Sequence, residues 1–233
     1  MKSSRQLIIA IDGPAGSGKS TVGKLLAQQL NYLYVDTGAM YRAAAWKALQ
    51  LGVALDDGPA LTRLAQRMQL QLKCDPRNFQ IAVDGTDVTS AIRSAEVSDA
   101  SSKVSVVADL RKELVAQQQR LGKGGGVVME GRDIGTVVFP DADIKIFLDA
   151  SPEARGARRH EQDAEGSGNP QETIQAVRHR DSRDASRRAS PMVAAADAVH
   201  LDTTHLTVDE VVQRILELVK QKLADPKGVA STR

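Results

Sequence analysis

Residues 13 to 20 read Gly13-Pro14-Ala15-Gly16-Ser17-Gly18-Lys19-Ser20, the G-x-x-x-x-G-K-[ST] spacing of a loop that holds phosphate. Its glycines let successive backbone N–H groups point inward at anionic oxygens, and the helix that follows offers the positive end of its dipole. In such a loop Lys19 reaches the β- and γ-phosphates of a nucleoside triphosphate, and the Ser20 hydroxyl ligates Mg²⁺. Other groups suited to anion chemistry lie far along the chain, in Asp36-Thr37-Gly38-Ala39-Met40-Tyr41-Arg42 and in Glu130-Gly131-Arg132-Asp133. In the run from Arg178 to Arg188, helical spacing sets Arg180, Arg183, Asp184 and Arg187 at i, i+3, i+4 and i+7, on one charged stripe. Such a stripe is ordinarily a solvated face. Here Arg155, Arg158 and Arg159 form a second cationic cluster, and the two clusters flank residues 162–170, a polar, glycine-containing stretch. Two arginine clusters beside a mobile segment suit phosphoryl transfer, in which charge spreads over the transferring oxygens and the protein gives electrostatic help. His160, His179, His200 and His205 have no metal-ligand spacing and receive no role.

These groups need a scaffold that gathers them. Short apolar runs end near Asp12, Asp36, Glu130, Asp149 and Asp202, as buried parallel strands do. Helical periodicity fills the intervals at 19–30, 38–51, 107–121, 151–161 and 207–223, the last opening with a Thr207/Glu210 capping box. The alternation predicts an α/β fold with a doubly wound parallel sheet. Ligands of such sheets bind at the carboxyl ends of the strands, where the Gly13 loop, Asp36–Arg42 and Glu130–Asp133 all fall. Two stretches break the rhythm. Residues 69–73 and 79–83 alternate as strands about a turn at 74–78, an inserted antiparallel hairpin, and residues 162–170 have the composition of a lid. The tail from Asp225 is expected to fray, and there is no internal repeat.

A chain of 233 residues with 42% hydrophobic and 26% charged residues buries one good α/β core and needs no second independent domain. A net charge of +2 gives no nonspecific nucleic-acid coat. The single cysteine, Cys74, rules out an internal disulfide and a cysteine zinc cluster, which suits a reducing compartment. The apolar run before Asp12 is shorter than the core of a signal peptide, and no segment is long enough to span a membrane. A cytoplasmic protein without membrane association is expected.

IAIDGPAGSGKST at residues 9–21, DTGAMYR at 36–42, EGRDIGTVVFPDADIKIFLDAS at 130–151 and HRDSRDASR at 179–187 together closely resemble the bacterial cytidylate kinases, P-loop nucleoside monophosphate kinases. The likeness covers nearly the whole chain. It implies one kinase domain over 1–233, a monophosphate-binding insertion at 63–103, a helical lid at 155–170, and transfer of the ATP γ-phosphoryl group to CMP or dCMP with Mg²⁺. Carried over by position, the triphosphate meets Gly13, Pro14, Ala15, Gly16, Ser17, Gly18, Lys19, Ser20 and Thr21, with Ser20 on the metal. Arg42, Arg132 and Arg187 resemble a clamp on the CMP phosphate; Ser102, Arg111 and Asp133 the cytosine-reading set; Arg180 and Asp184 the ribose contacts; Arg158 a lid arginine. Lys19, Arg132, Arg158 and Arg187 would serve the transfer itself. Thr37 and Glu130 stand where some relatives carry Ser and Asp. The acceptor phosphate is already a dianion near neutral pH, so no general base is required. The resemblance implies small-molecule partners only, ATP and CMP or dCMP, and a monomer. A guanine-reading motif of signalling GTPases has its nearest match at Leu72-Lys73-Cys74-Asp75, which lacks the first residue. Another nucleoside monophosphate as acceptor is the alternative to test.

Overall fold

β1 (Ile8–Asp12) lies at the centre of a parallel sheet because its residues are apolar up to Asp12 and face a core on both sides. Ile9 and Ile11 join one buried cluster with Val22, Leu26 and Ile146, whereas Ala10 joins another with Val35, Met129 and Ile134. Alternation along a strand sends neighbours to opposite faces. The sheet is thus covered on both.

In the computed structural model, which describes residues 6–162 and 170–224, β1 leads into α1 (Lys19–Leu30), β2 (Leu33–Asp36) into α2 (Thr37–Gln50), and α3 (Gly58–Arg67) follows. Next come β3 (Leu70–Asp75), β4 (Asn78–Val83), β5 (Thr86–Asp87), α4 (Ala95–Val104), α5 (Ala108–Gly122) and β6 (Val127–Gly131). A single π-helical turn, Ile134–Val138, precedes β7 (Ile144–Asp149), α6 (Pro152–Gln162), α7 (Pro170–Ala185), β8 (Val199–Asp202) and α8 (Val208–Ala224). The large sheet has the order β2-β6-β1-β7-β8 with every pair parallel. β1 pairs with β6 up to Asp12–Gly131 and with β7 up to Asp12–Phe147. Its carboxyl edge is where the chain turns into the phosphate loop.

Local chemistry sets the ends. Asp36 caps α2 by accepting the Ala39 N–H at 2.8 Å, which leaves the Thr37 hydroxyl free to donate to Glu130 O at 2.7 Å. The Thr207/Glu210 box forms as its sequence predicts, with the Thr207 N–H donating to Glu210 at 2.8 Å and the Glu210 N–H to Thr207 at 3.3 Å.

The inserted antiparallel sheet has the order β3-β4-β5. Asp75 pairs with Asn78, so the turn is shorter than the one expected over 74–78. Phe79, Ile81 and Val83 are buried while Asn78 and Gln80 are exposed, and the Phe79 ring meets Tyr34 of β2 edge-on at 5.7 Å. The interval 63–103 begins inside α3 and ends inside α4. α3 itself rests on α5 through the stripe Leu61, Leu64 and Ala65. Residues 163–169 of the lid expected at 155–170, and the tail from 225, lie outside the described residues.

Candidate active site

The phosphate loop is shaped by backbone that only glycine adopts easily. Gly13 has φ +144°, and a Cβ there would stand 1.9 Å from Leu148 O of β7; Gly16 and Gly18 also have positive φ. Pro14 and Ser17 close the turn from within, the Ser17 hydroxyl donating to Pro14 O at 3.1 Å. Ala15, Gly16, Lys19 and Ser20 line a cleft of about 550 Å³, while Thr21 lies exposed on α1. Lys19 is buried and donates Nζ to Pro14 O at 2.5 Å and to Ser17 Oγ at 3.3 Å.

Side chains from separate elements line the rest of the cleft. Arg42 of α2 meets Asp36 at 2.8 Å, and Arg132 meets Asp184 of α7 at 2.9 Å. Arg111 of α5 donates to Asp133 at 2.5 Å and to Ser105 O at 3.3 Å, over the Tyr41 ring with 5.1 Å to its centroid. Arg180 donates to Ser98 at 2.9 Å. α7 ends at Ala185, so Arg187 lies beyond the stripe expected of it. It holds the helix end instead, donating Nε to Asp184 O at 3.1 Å. Buried polar atoms of Ser102, Arg111 (Nε), Arg180 (Nε) and Arg187 (Nη2) have no hydrogen-bond partner among the described residues. Such groups are costly unless something else supplies the bond.

Buried cations crowd one another in the cleft. Burial and the Arg132 charge push Lys19 down to about 7, and the same two causes push Arg180 down to about 10. Carboxylates carry the countercharge. Burial opposes the charge on Asp184, yet Arg132, Arg187 and Arg180 hold it below its ordinary value; at Asp36, Arg42 and the Ala39 N–H likewise outweigh burial. Glu130 behaves differently, since burial and the Asp36 charge raise it. Its carboxylate accepts the Tyr34 hydroxyl and interacts with Ser20. A Ser20 hydroxyl with Asp36 and Glu130 nearby fits Mg²⁺, which keeps several waters and takes one or two carboxylates plus substrate phosphates.

Of the residues singled out in the sequence, Thr37, Arg42, Ser102, Arg111, Arg132, Asp133, Arg180, Asp184 and Arg187 line this one cleft with the phosphate loop. Arg158 does not: it turns to the loop after β8 and donates to Thr203 Oγ1 at 3.0 Å and Thr203 O at 2.6 Å. Its neighbour Arg159 faces the cleft. Sequence reasoning missed the role of Arg155, which donates to Ala15 O at 3.1 Å and pairs with Asp181 of α7, whose other oxygen accepts the Ala15 N–H at 3.3 Å. Both helices of the arginine clusters are thereby fastened to the phosphate loop. It also missed Asp12 and Tyr34, for which no spacing rule gave a signal. Lys73 and Asp75 lie on β3 of the small sheet and do not line the cleft.

Comparison with known proteins agrees with this geometry. A family model described as cytidylate kinase matches residues 9–221. A cytidylate kinase of Geobacillus sp. (strain WCH70) is 49% identical over 217 residues, 92% of this chain and 97% of that protein. One of Geobacillus thermodenitrificans is 49% identical over 221 residues, 94% and 99% of the two chains. One of Pelotomaculum thermopropionicum reaches 51% over 214 residues, 91% and 95%. With a matched span that includes the phosphate loop, the arginines of the cleft and the inserted sheet, the chain belongs to the cytidylate kinase family.

Proposed function

We infer that this chain transfers the γ-phosphoryl group of ATP to CMP or dCMP, giving ADP and CDP or dCDP. The observation that carries the reading is the one cleft of about 550 Å³ that Lys19 and Ser20 of the phosphate loop line together with Ser102, Arg111 and Asp133. One donor and one acceptor fit such a cleft with their phosphates facing. An oxygen of the acceptor phosphate attacks the γ-phosphorus, and the bond from that phosphorus to the bridging oxygen of ADP breaks. Lys19, Arg132 and Arg187 stabilise charge on the transferring and flanking oxygens, and Arg42 and Arg132 exchange their carboxylates Asp36 and Asp184 for the acceptor phosphate. Arg180 and Asp184 hold the ribose. Asp133 accepts from the cytosine exocyclic amine, a donor that uracil replaces with an acceptor. Ser20, with Glu130 or Asp36 behind it, would hold Mg²⁺, which would supply charge neutralisation to the transferring phosphates.

The insertion gathered around β3–β5 serves the monophosphate side, and of the arginines in the lid at 155–170 it is Arg159 that lines the cleft. Among the described residues no helix is long and apolar enough to cross a membrane, and a monomer acting on small molecules in the cytoplasm is the reading adopted. A coupled assay of ADP release with CMP, dCMP, UMP and AMP tests it. CMP and dCMP should lead by at least about tenfold in kcat/KM; equal use of UMP would replace cytosine selectivity with a general pyrimidine acceptor.

A further inference from the structure

Asp12 has no task in the reaction as described and does not line the cleft, yet its side chain is buried and engaged by backbone. It is the last residue of β1 and only 5% exposed. One carboxylate oxygen accepts the Ile134 N–H and the other the Gly135 N–H, each at 2.8 Å. No salt bridge to it occurs among the described residues. Burial pushes the carboxyl up to about 6 against those two N–H bonds, with Asp133 adding to the rise and Lys19 opposing it. A buried carboxylate is expensive beside an apolar residue of similar size.

The two N–H groups directly follow Asp133, whose backbone (φ −148°, ψ 26°) belongs to neither helix nor strand. The turn they open holds Asp133 from its other side, since the Val137 and Val138 N–H groups donate to Asp133 O at 2.9 and 3.3 Å. β1 and β6 run together as far as the Asp12–Gly131 pair. Beyond it the chains part, Gly13 entering the phosphate loop while Arg132 and Asp133 turn to the acceptor end. The Asp12 carboxylate bridges that parting.

We propose that Asp12 is a positioning residue for Asp133: by gripping the Ile134 and Gly135 N–H groups it fixes the backbone that aims the Asp133 carboxylate at Arg111 and the pyrimidine edge, and it references that aim to the first residue of the phosphate loop. The inference rests on the reading of Asp133 as the base-reading group.

Asp12→Asn keeps the shape but turns an amide donor toward one of the two N–H groups; Asp12→Ser is neutral and too short for both. On the full chain, amide exchange of Ile134 and Gly135 by NMR, KM for ATP and CMP, and the CMP-to-UMP ratio of kcat/KM are measured for both variants and for Asp133→Asn, with urea midpoints to separate unfolding. Both Asp12 variants should speed exchange at the two amides, raise KM for CMP about tenfold and lower the CMP-to-UMP ratio about fivefold, with KM for ATP within about twofold of the parent. Unchanged exchange overturns the positioning claim whatever the kinetics show. Faster exchange with an unchanged ratio, while Asp133→Asn lowers that ratio, also overturns it. An unchanged ratio in Asp133→Asn shows instead that base reading by Asp133 is wrong, and the consequence of Asp12 for selectivity falls with it.

Discussion

The two ends of the cleft are built from different materials. The end proposed for the donor is backbone: the loop from Gly13 to Ser20 holds its shape through positive-φ glycines and internal hydrogen bonds such as Ser17 to Pro14. The end proposed for the acceptor is side chain, with Arg42 on Asp36, Arg132 on Asp184 and Arg111 on Asp133, drawn from elements far apart in sequence. A backbone cradle is preorganised and barely changes when anions arrive. A cradle of ion pairs must trade carboxylates for phosphate, which makes its affinity depend on how well the fork of each guanidinium matches the new partner. Donor binding should therefore tolerate changes at the arginines, and acceptor binding should not.

The largest break is expected at Lys19, the phosphate-loop side chain proposed to meet the transferring group. Lys19→Ala should lower kcat about 10²- to 10³-fold with every acceptor, while the Kd for CMP by calorimetry stays within about threefold. A proportional loss of CMP affinity would mean that the two ends are not separate. Arg187→Lys replaces a fork with a point charge and should cost about ten- to a hundredfold in kcat/KM for CMP with KM for ATP near the parent value. Equal losses for both nucleotides would move Arg187 to the donor side.

This difference in material also decides what the sequence could tell. A backbone cradle needs glycines at fixed offsets, so Gly13 to Ser20 was legible as a contiguous string, and the buried strands beside it were legible as apolar runs. Ion pairs have no such offsets. Arg132 and Asp184 are 52 positions apart, and their meeting follows from the path of the chain across the sheet. Within α6 the run Arg158-Arg159 could not be resolved, because neighbours on a helix differ by about 100° in direction; Arg158 is taken by Thr203. α4 escaped notice for a related reason. Its residues Ser98, Ser101 and Ser102 dilute the apolar period, and it is packing on α2 through Val97, Ala100 and Val104 that keeps it helical.

Asp12 sits between the two ends and carries a pH signature. Its folded-state value of about 6 lies above the ordinary 3.8, so between these values the folded protein binds the proton and the unfolded chain does not. Stability from this group is complete below about pH 4 and is lost as pH rises through about 6, by at most about 3 kcal/mol. Asp12→Asn lacks that slope. Urea midpoints at pH 4.5 and 7.5 should show the variant gaining on the parent by about 1–2 kcal/mol as pH rises. A constant gap would mean that Asp12 titrates at its ordinary value despite its burial.

The smallest effect, and the finest division of the two ends, is expected at Tyr34. Its ring is buried on β2 against Phe79, and its hydroxyl donates to Glu130, whose carboxylate faces the Ser20 side of the cleft. Tyr34→Phe keeps the ring and removes only that donor. If Glu130 stands behind the waters of Mg²⁺, losing the group that orients it should raise the Mg²⁺ concentration for half-maximal rate by about three- to tenfold. KM for CMP should stay within about twofold, because Tyr34 does not line the acceptor pocket. A magnesium titration at saturating ATP and CMP reads this directly. An unchanged midpoint would assign the metal-facing carboxylate to Asp36, already held by the Ala39 N–H and Arg42, and would leave Glu130 as the buried partner that Tyr34 and the Thr37 turn require.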